Sequence, residues 1–228
     1  MWKIDNGVFD FSTVSFVDHN WVTAFIMAAM LLLTVNVVLY RRKFILSIQC
    51  LFSKRAFSQL SKEGKLFGEG TFLYSELFVL LTLPISFYQL CNYYLGTLGE
   101  NLNYLQFFGI LIGAVALFFV LRLIVDFFVF ELFDCTENRY DFHIMASSFW
   151  LNTALVLFLS AVVFQYTNFK AIYLLSLLII SGLFLIKVYK DFIFKSNRVN
   201  LFQFFMYFCT LEILPYAVIV KLLLMYGK

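Results

Sequence analysis

The chain has 228 residues, of which 62% are hydrophobic, 21% aromatic and only 14% charged. A soluble surface needs about 25% charged residues, so an ordinary water-soluble domain is excluded, and 31 Phe against two Pro exclude collagen-like and disordered chains. A net charge of +3 is too small and too dispersed to hold nucleic acid; hydrophobic runs recur along residues 1–228 and make them a single membrane unit.

The first twenty residues carry Asp5, Asp10 and Asp18 in place of a basic region, so they read as a short external tail and not as a cleaved leader. A bilayer core of about 30 Å takes about 20 mostly apolar residues per helix, and six stretches meet that length. The first covers 21–40 and ends abruptly at Arg41, Arg42 and Lys43. Residues 44–68 follow, with Phe44, Ile48, Leu51 and Phe52 at helical spacing and Lys54, Arg55, Lys62 and Lys65 among them. That pattern predicts a basic amphipathic helix on the cytoplasmic leaflet, where anionic lipid attracts cations. Arg41, Arg42, Lys43, Lys54, Arg55, Lys62 and Lys65 then form a candidate surface for lipid or for a cytoplasmic partner.

The second span covers 72–94 and contains Pro84, which predicts a broken helix. The third covers 105–127, and its apolar run is interrupted by Arg122 and Asp126. The fourth and fifth cover 142–166 and 171–189. The sixth covers 201–225 and carries Glu212 and Pro215. Backbone groups in lipid must be satisfied within the segment, so the spans are helices; the alternation of a membrane barrel is absent. The expected fold is all-α, a polytopic transmembrane bundle of six spans.

Orientation follows the Lys and Arg of the loops. Twelve cations fall on one side, including Arg139, Lys187 and Lys190, against Lys3, Lys170 and Lys228 on the other. Both termini are therefore expected outside the cytoplasm, in a multi-pass protein of the bacterial inner membrane.

Cys50, Cys91, Cys135 and Cys209 have no paired spacing and read as packing residues, and His19 and His143 fall near opposite membrane faces. No metal-protease, hydrolase or phosphate-loop motif is present, so no cofactor or metal is expected. Ionisable groups inside the bilayer are the better leads, because they are expensive there. Arg122 and Asp126 share a face of the third span. Counting about 1.5 Å per residue, Arg122 and Glu76 lie at similar depth, about 6–8 Å in. Glu212 lies near the midplane, and Pro215 frees a carbonyl in the turn before it. Glu212, Pro215, Arg122, Asp126 and Glu76 form the candidate polar site. They either neutralise one another and bind the bundle, or place a protonatable acid in a transport path.

The run Cys209-Thr210-Leu211-Glu212-Ile213-Leu214-Pro215, with the length, the basic first cytoplasmic segment and Leu81-Thr82-Leu83-Pro84, resembles a family of uncharacterised integral membrane proteins from Bacteroidota. The resemblance implies a bacterial inner membrane and adds weight to Glu212 and Pro215. It implies no reaction.

Two functions compete. The first is an accessory or scaffold subunit of an inner-membrane complex, for instance in protein export or envelope assembly, with a membrane-protein partner. The second is a small secondary transporter or channel-like carrier using Glu212, as a homo-oligomer. An intramembrane enzyme is disfavoured, because Ser181, Cys209 and His143 share no register that would pair a nucleophile with a base.

Overall fold

The computed structural model describes residues 20–62, 70–95, 104–132, 136–167 and 171–195. These form six helices: α1 Asn20–Cys50, α2 Lys54–Lys62, α3 Gly70–Leu95, α4 Tyr104–Leu132, α5 Thr136–Thr167 and α6 Ala171–Lys195. All but α2 are long and apolar enough to cross a membrane. The expected sixth span, 201–225, lies outside the described residues.

Inter-helix contacts give the directions. Trp21 meets Tyr88, and Asn36 meets Ser75, so α1 and α3 run antiparallel. Glu76 pairs with Ser147, and Gln89 with Ala161 and Gln165, so α3 and α5 run parallel. Phe107 of α4 meets Tyr88, and Phe164 of α5 meets Tyr173 of α6. Successive long helices therefore alternate in direction. In the most apolar stretches of α3 and α5, 56% and 50% of residues are buried, against 11% for α4. The bundle is thus centred on α3 and α5, with α4 and α6 outside them.

α1 carries the largest departure from regularity. At about 1.5 Å per residue, its 31 residues would extend about 46 Å, well beyond a core of about 30 Å. The helix breaks at Tyr40 (φ −131°, ψ 35°), immediately before Arg41, Arg42 and Lys43. Neither Pro nor Gly is present, and three consecutive cations that cannot enter hydrocarbon account for the position. Asn36 and Ser47 lie eleven residues apart. Yet Asn36 bonds Ser75, Glu76 bonds Ser147, and Ser47 is bonded by Ser148. Residues after Tyr40 therefore run across the end of the bundle, from α3 to α5.

The stretch expected as one helix over 44–68 is divided between two. Phe44 through Cys50 belongs to α1, a turn follows at 51–53, and only Lys54–Lys62 forms a separate helix. The turn is closed by the Phe52 and Ser53 amides, both donating to the Gln49 carbonyl at 2.9 and 2.8 Å. α2 is amphipathic, but its apolar side faces protein. Ala56, Phe57 and Leu60 are buried against Leu46, Cys50 and Leu51 of the α1 end, Ile144 and Phe149 of α5, and Leu183 of α6. Residues 63–69, with Lys65, lie outside the described residues.

The expected break at Pro84 is corrected. α3 is helical from Gly70 to Leu95, and Pro84 is fully buried within it. Hydroxyls flank it: Thr82 donates to the Phe78 carbonyl at 2.7 Å, and Ser86 to the Thr82 carbonyl at 3.1 Å. The small side chains of Ala29, Ala154 and Ala161 are buried in the central cluster, where small residues let helices approach closely.

Candidate functional site

The polar side chains inside the bundle fall into three groups. The first is a layer at the level where α1 breaks. Asn36 of α1 donates from Nδ2 to Ser75 Oγ of α3 at 2.9 Å, and both are buried. On the next residue, Glu76 Oε1 accepts from Ser147 Oγ of α5 at 3.1 Å. Arg122 of α4 reaches the same helix three residues along from Ser147, at Trp150. Its guanidinium lies 5.4 Å from the Trp150 ring centroid, a favourable placement for a cation over an indole face. Trp150 is itself held edge-on by Phe119 at 5.4 Å and Phe149 at 5.6 Å. One acid and one base on neighbouring helices are thus both engaged by α5.

The second group closes the C-terminal end of α1. The last four carbonyls of a helix have no partner within it, and here each finds a donor. Ser148 Oγ donates to the Ser47 carbonyl. Asn152 Nδ2 donates to the Ile48 carbonyl at 3.3 Å and to its own helix at Ser148 O, 2.8 Å. The Gln49 carbonyl takes the two turn amides. Lys190 Nζ of α6 donates to the Cys50 carbonyl at 3.1 Å. A cation at a helix C-terminus also complements the macrodipole. Beside it, buried Lys187 lies 5.2 Å from the Phe149 ring centroid. Lys187 and Lys190, counted above as loop cations, therefore lie inside α6 and are buried. The reason is geometric: α6 continues to Lys195, and the crossing end of α1 supplies acceptors for it. Ser61 of α2 donates to Asp141 of α5 on the same side.

The third group lies toward the opposite end. Buried Gln89 of α3 donates to the Ala161 carbonyl at 3.3 Å and to Gln165 Oε1 at 3.1 Å, and accepts from Tyr173 of α6. Three helices meet in that one amide. Trp21, Phe25, Tyr88 and Phe108 stack just beyond it, with centroids 4.7–6.1 Å apart.

Of the residues expected to form the polar site, Glu76 and Arg122 both reach α5, at Ser147 and at Trp150. Asp126 is on α4, four residues beyond Arg122, and its side chain lies outside the described residues, as do Glu212 and Pro215 entirely. Of the expected basic surface, Arg41, Arg42, Lys54, Arg55 and Lys62 are exposed and Lys43 is half-buried. Cys50 is fully buried and Cys91 half-buried, both as free thiols. Among the described residues no three His, Cys, Asp or Glu side chains converge in a way that would hold a metal. Asn36, Ser75, Ser147, Ser148, Asn152 and Gln89 are uncharged, and Lys190 follows its apolar run, so none of them stands out among the charges of the spans.

Such an arrangement orients helices and satisfies backbone: Ser148 bonds a carbonyl of α1, and Ser61 bonds the Asp141 carboxylate and so ties α2 to α5. Among known families, the model described as "Domain of unknown function (DUF4271)" matches residues 22–223. No curated relative and no solved structure matches the chain.

Proposed function

The chain belongs to the DUF4271 family, and we propose from that premise that it is an accessory or scaffold subunit of a larger complex in a bacterial inner membrane, without catalysis of its own. The observation that carries this reading is how the described ionisable groups of the spans are used. Glu76 is engaged by Ser147, Arg122 by Trp150, Lys187 by Phe149, and Lys190 by a carbonyl of α1. Intramembrane charges mark either transport paths or protein-to-protein contacts, and all four of these make contacts that fasten one helix to another.

The outer faces support the same reading. Leu117, Val120 and Leu121 of α4 and Leu174, Leu177, Leu178 and Leu185 of α6 are exposed, each by more than half of its surface. They offer two long apolar faces to neighbours in the bilayer. The charge distribution supports the orientation: Arg41, Arg42, Lys54, Arg55, Lys62, Lys187 and Lys190 lie at one end, and no Lys or Arg lies at the other among the described residues. By the positive-inside rule the basic end faces the cytoplasm, with both termini outside. Protein export and envelope assembly are the processes such a subunit would serve.

Purification of the full chain from its native membrane in mild detergent, with mass spectrometry of what remains bound, tests the reading. Stoichiometric membrane proteins are expected, and their retention should survive Glu212→Gln. A chain recovered alone, whose reconstituted vesicles take up a solute and lose that uptake on Glu212→Gln, would replace the subunit with a carrier.

A further inference from the structure

We propose that the outward side of α1 beyond Tyr40, together with α2, binds the headgroups of anionic phospholipids. The inference goes beyond the subunit reading and needs only that the chain lies in a bilayer. After the break at Tyr40 the chain crosses the end of the bundle, so its outward side is held near one depth. That side carries Arg41, Arg42, Ile45 and Gln49 at the spacing of a helix face, with Phe52 in the turn that follows, all exposed. Ile45 and Phe52 are 42% and 56% exposed, and they continue the apolar outer face of Val38 and Leu39, at 72% and 61%. Cations are therefore interleaved with apolar side chains at the level where phosphate gives way to acyl chain, the pattern of an interfacial helix.

α2 extends the charge. Lys54, Arg55 and Lys62 are exposed while Ala56, Phe57 and Leu60 are turned into the protein, so the outer side of this helix is basic and polar. The donors described at the last turn of α1 come from other residues. The carbonyls of Ser47, Ile48, Gln49 and Cys50 are taken by Ser148, Asn152, two turn amides and Lys190. The exposed set is complementary to an external anion, and its continuity with Val38 and Leu39 identifies that anion as a lipid phosphate.

The test uses the full chain in mild detergent, offered equal amounts of phosphatidylglycerol and phosphatidylcholine, with retained lipids counted by native mass spectrometry. Wild type should retain phosphatidylglycerol preferentially. Arg41→Gln/Arg42→Gln and Lys54→Gln/Arg55→Gln/Lys62→Gln should each reduce that preference, by up to about fivefold per cation removed. Circular dichroism and Tm should stay unchanged, because the altered side chains are exposed. Ile45→Ser/Phe52→Ser should lower retention of both lipids. Equal retention by wild type, or preference unchanged in both basic variants, would overturn the proposal. So would loss of a bound acidic protein in those variants with lipid retention intact. Bound proteins are counted separately from lipids in the same spectra, so failure of the lipid site and failure of the subunit reading remain distinguishable.

Discussion

The two ends of the bundle are fastened by different means. At the end that holds Trp21, the C-terminal part of α3 and the start of α4, aromatic rings do most of the work: Trp21 lies 4.8 Å from Tyr88 and 5.0 Å from Phe108, and Phe25 lies 4.7 Å from Phe108. At the basic end, donors reach backbone: Ser148, Asn152 and Lys190 each bond a carbonyl of the last turn of α1. The difference follows from what the chain does there. α1 stops and turns within the protein at the basic end, so its orphan carbonyls need partners. At the ring end the side chains that meet are large and apolar, and lipid is as apolar as they are, so shape complementarity decides the packing.

That contrast can be broken from either side. The ring end should answer to volume: Phe108→Ala should cost about 3–5 kcal/mol in reversible unfolding in mixed micelles, while Phe108→Leu should cost clearly less. The basic end should answer to donors. Lys190→Met keeps most of the side-chain volume but leaves the Cys50 carbonyl unpaired, and should cost about 1–3 kcal/mol. Lys190→Arg, which restores a donor and the charge, should recover part of that loss. Ser148→Ala should cost about 1 kcal/mol by the same measurement. Smallest is the shared amide: a double-mutant cycle on Tyr173→Phe and Gln89→Leu should give a coupling of about 0.6 kcal/mol, the usual worth of such bonds between membrane helices. If Lys190→Met proved silent while Phe108→Leu and Phe108→Ala were equally costly, the assignment of means to ends would be reversed.

The long apolar runs were legible because hydrocarbon thickness imposes a length and leaves few residues that can violate it. The break of α1 was legible as well, since three adjacent cations mark where a chain must leave the core. Other features were not legible. Ser147, Ser148 and Asn152 have the same sequence appearance whether a helix turns them to lipid or to a neighbour. Lys190 looked like a loop cation, because a charge after an apolar run ordinarily marks the membrane surface. Periodicity showed that Lys54–Lys62 has an apolar side, yet could not tell lipid from the protein surface that Ala56, Phe57 and Leu60 cover. Each of these depends on which helices touch, and spacing along one helix carries no such information.

The central claim is that the charges inside this bundle serve its architecture. Complementation of a deletion strain by Glu76→Gln, with membrane abundance of the chain measured in the same cells, tests it most directly. Activity that falls only as far as abundance falls is the predicted result. A variant present at wild-type level, with wild-type Tm and no complementation, would contradict it and make Glu76 a working group.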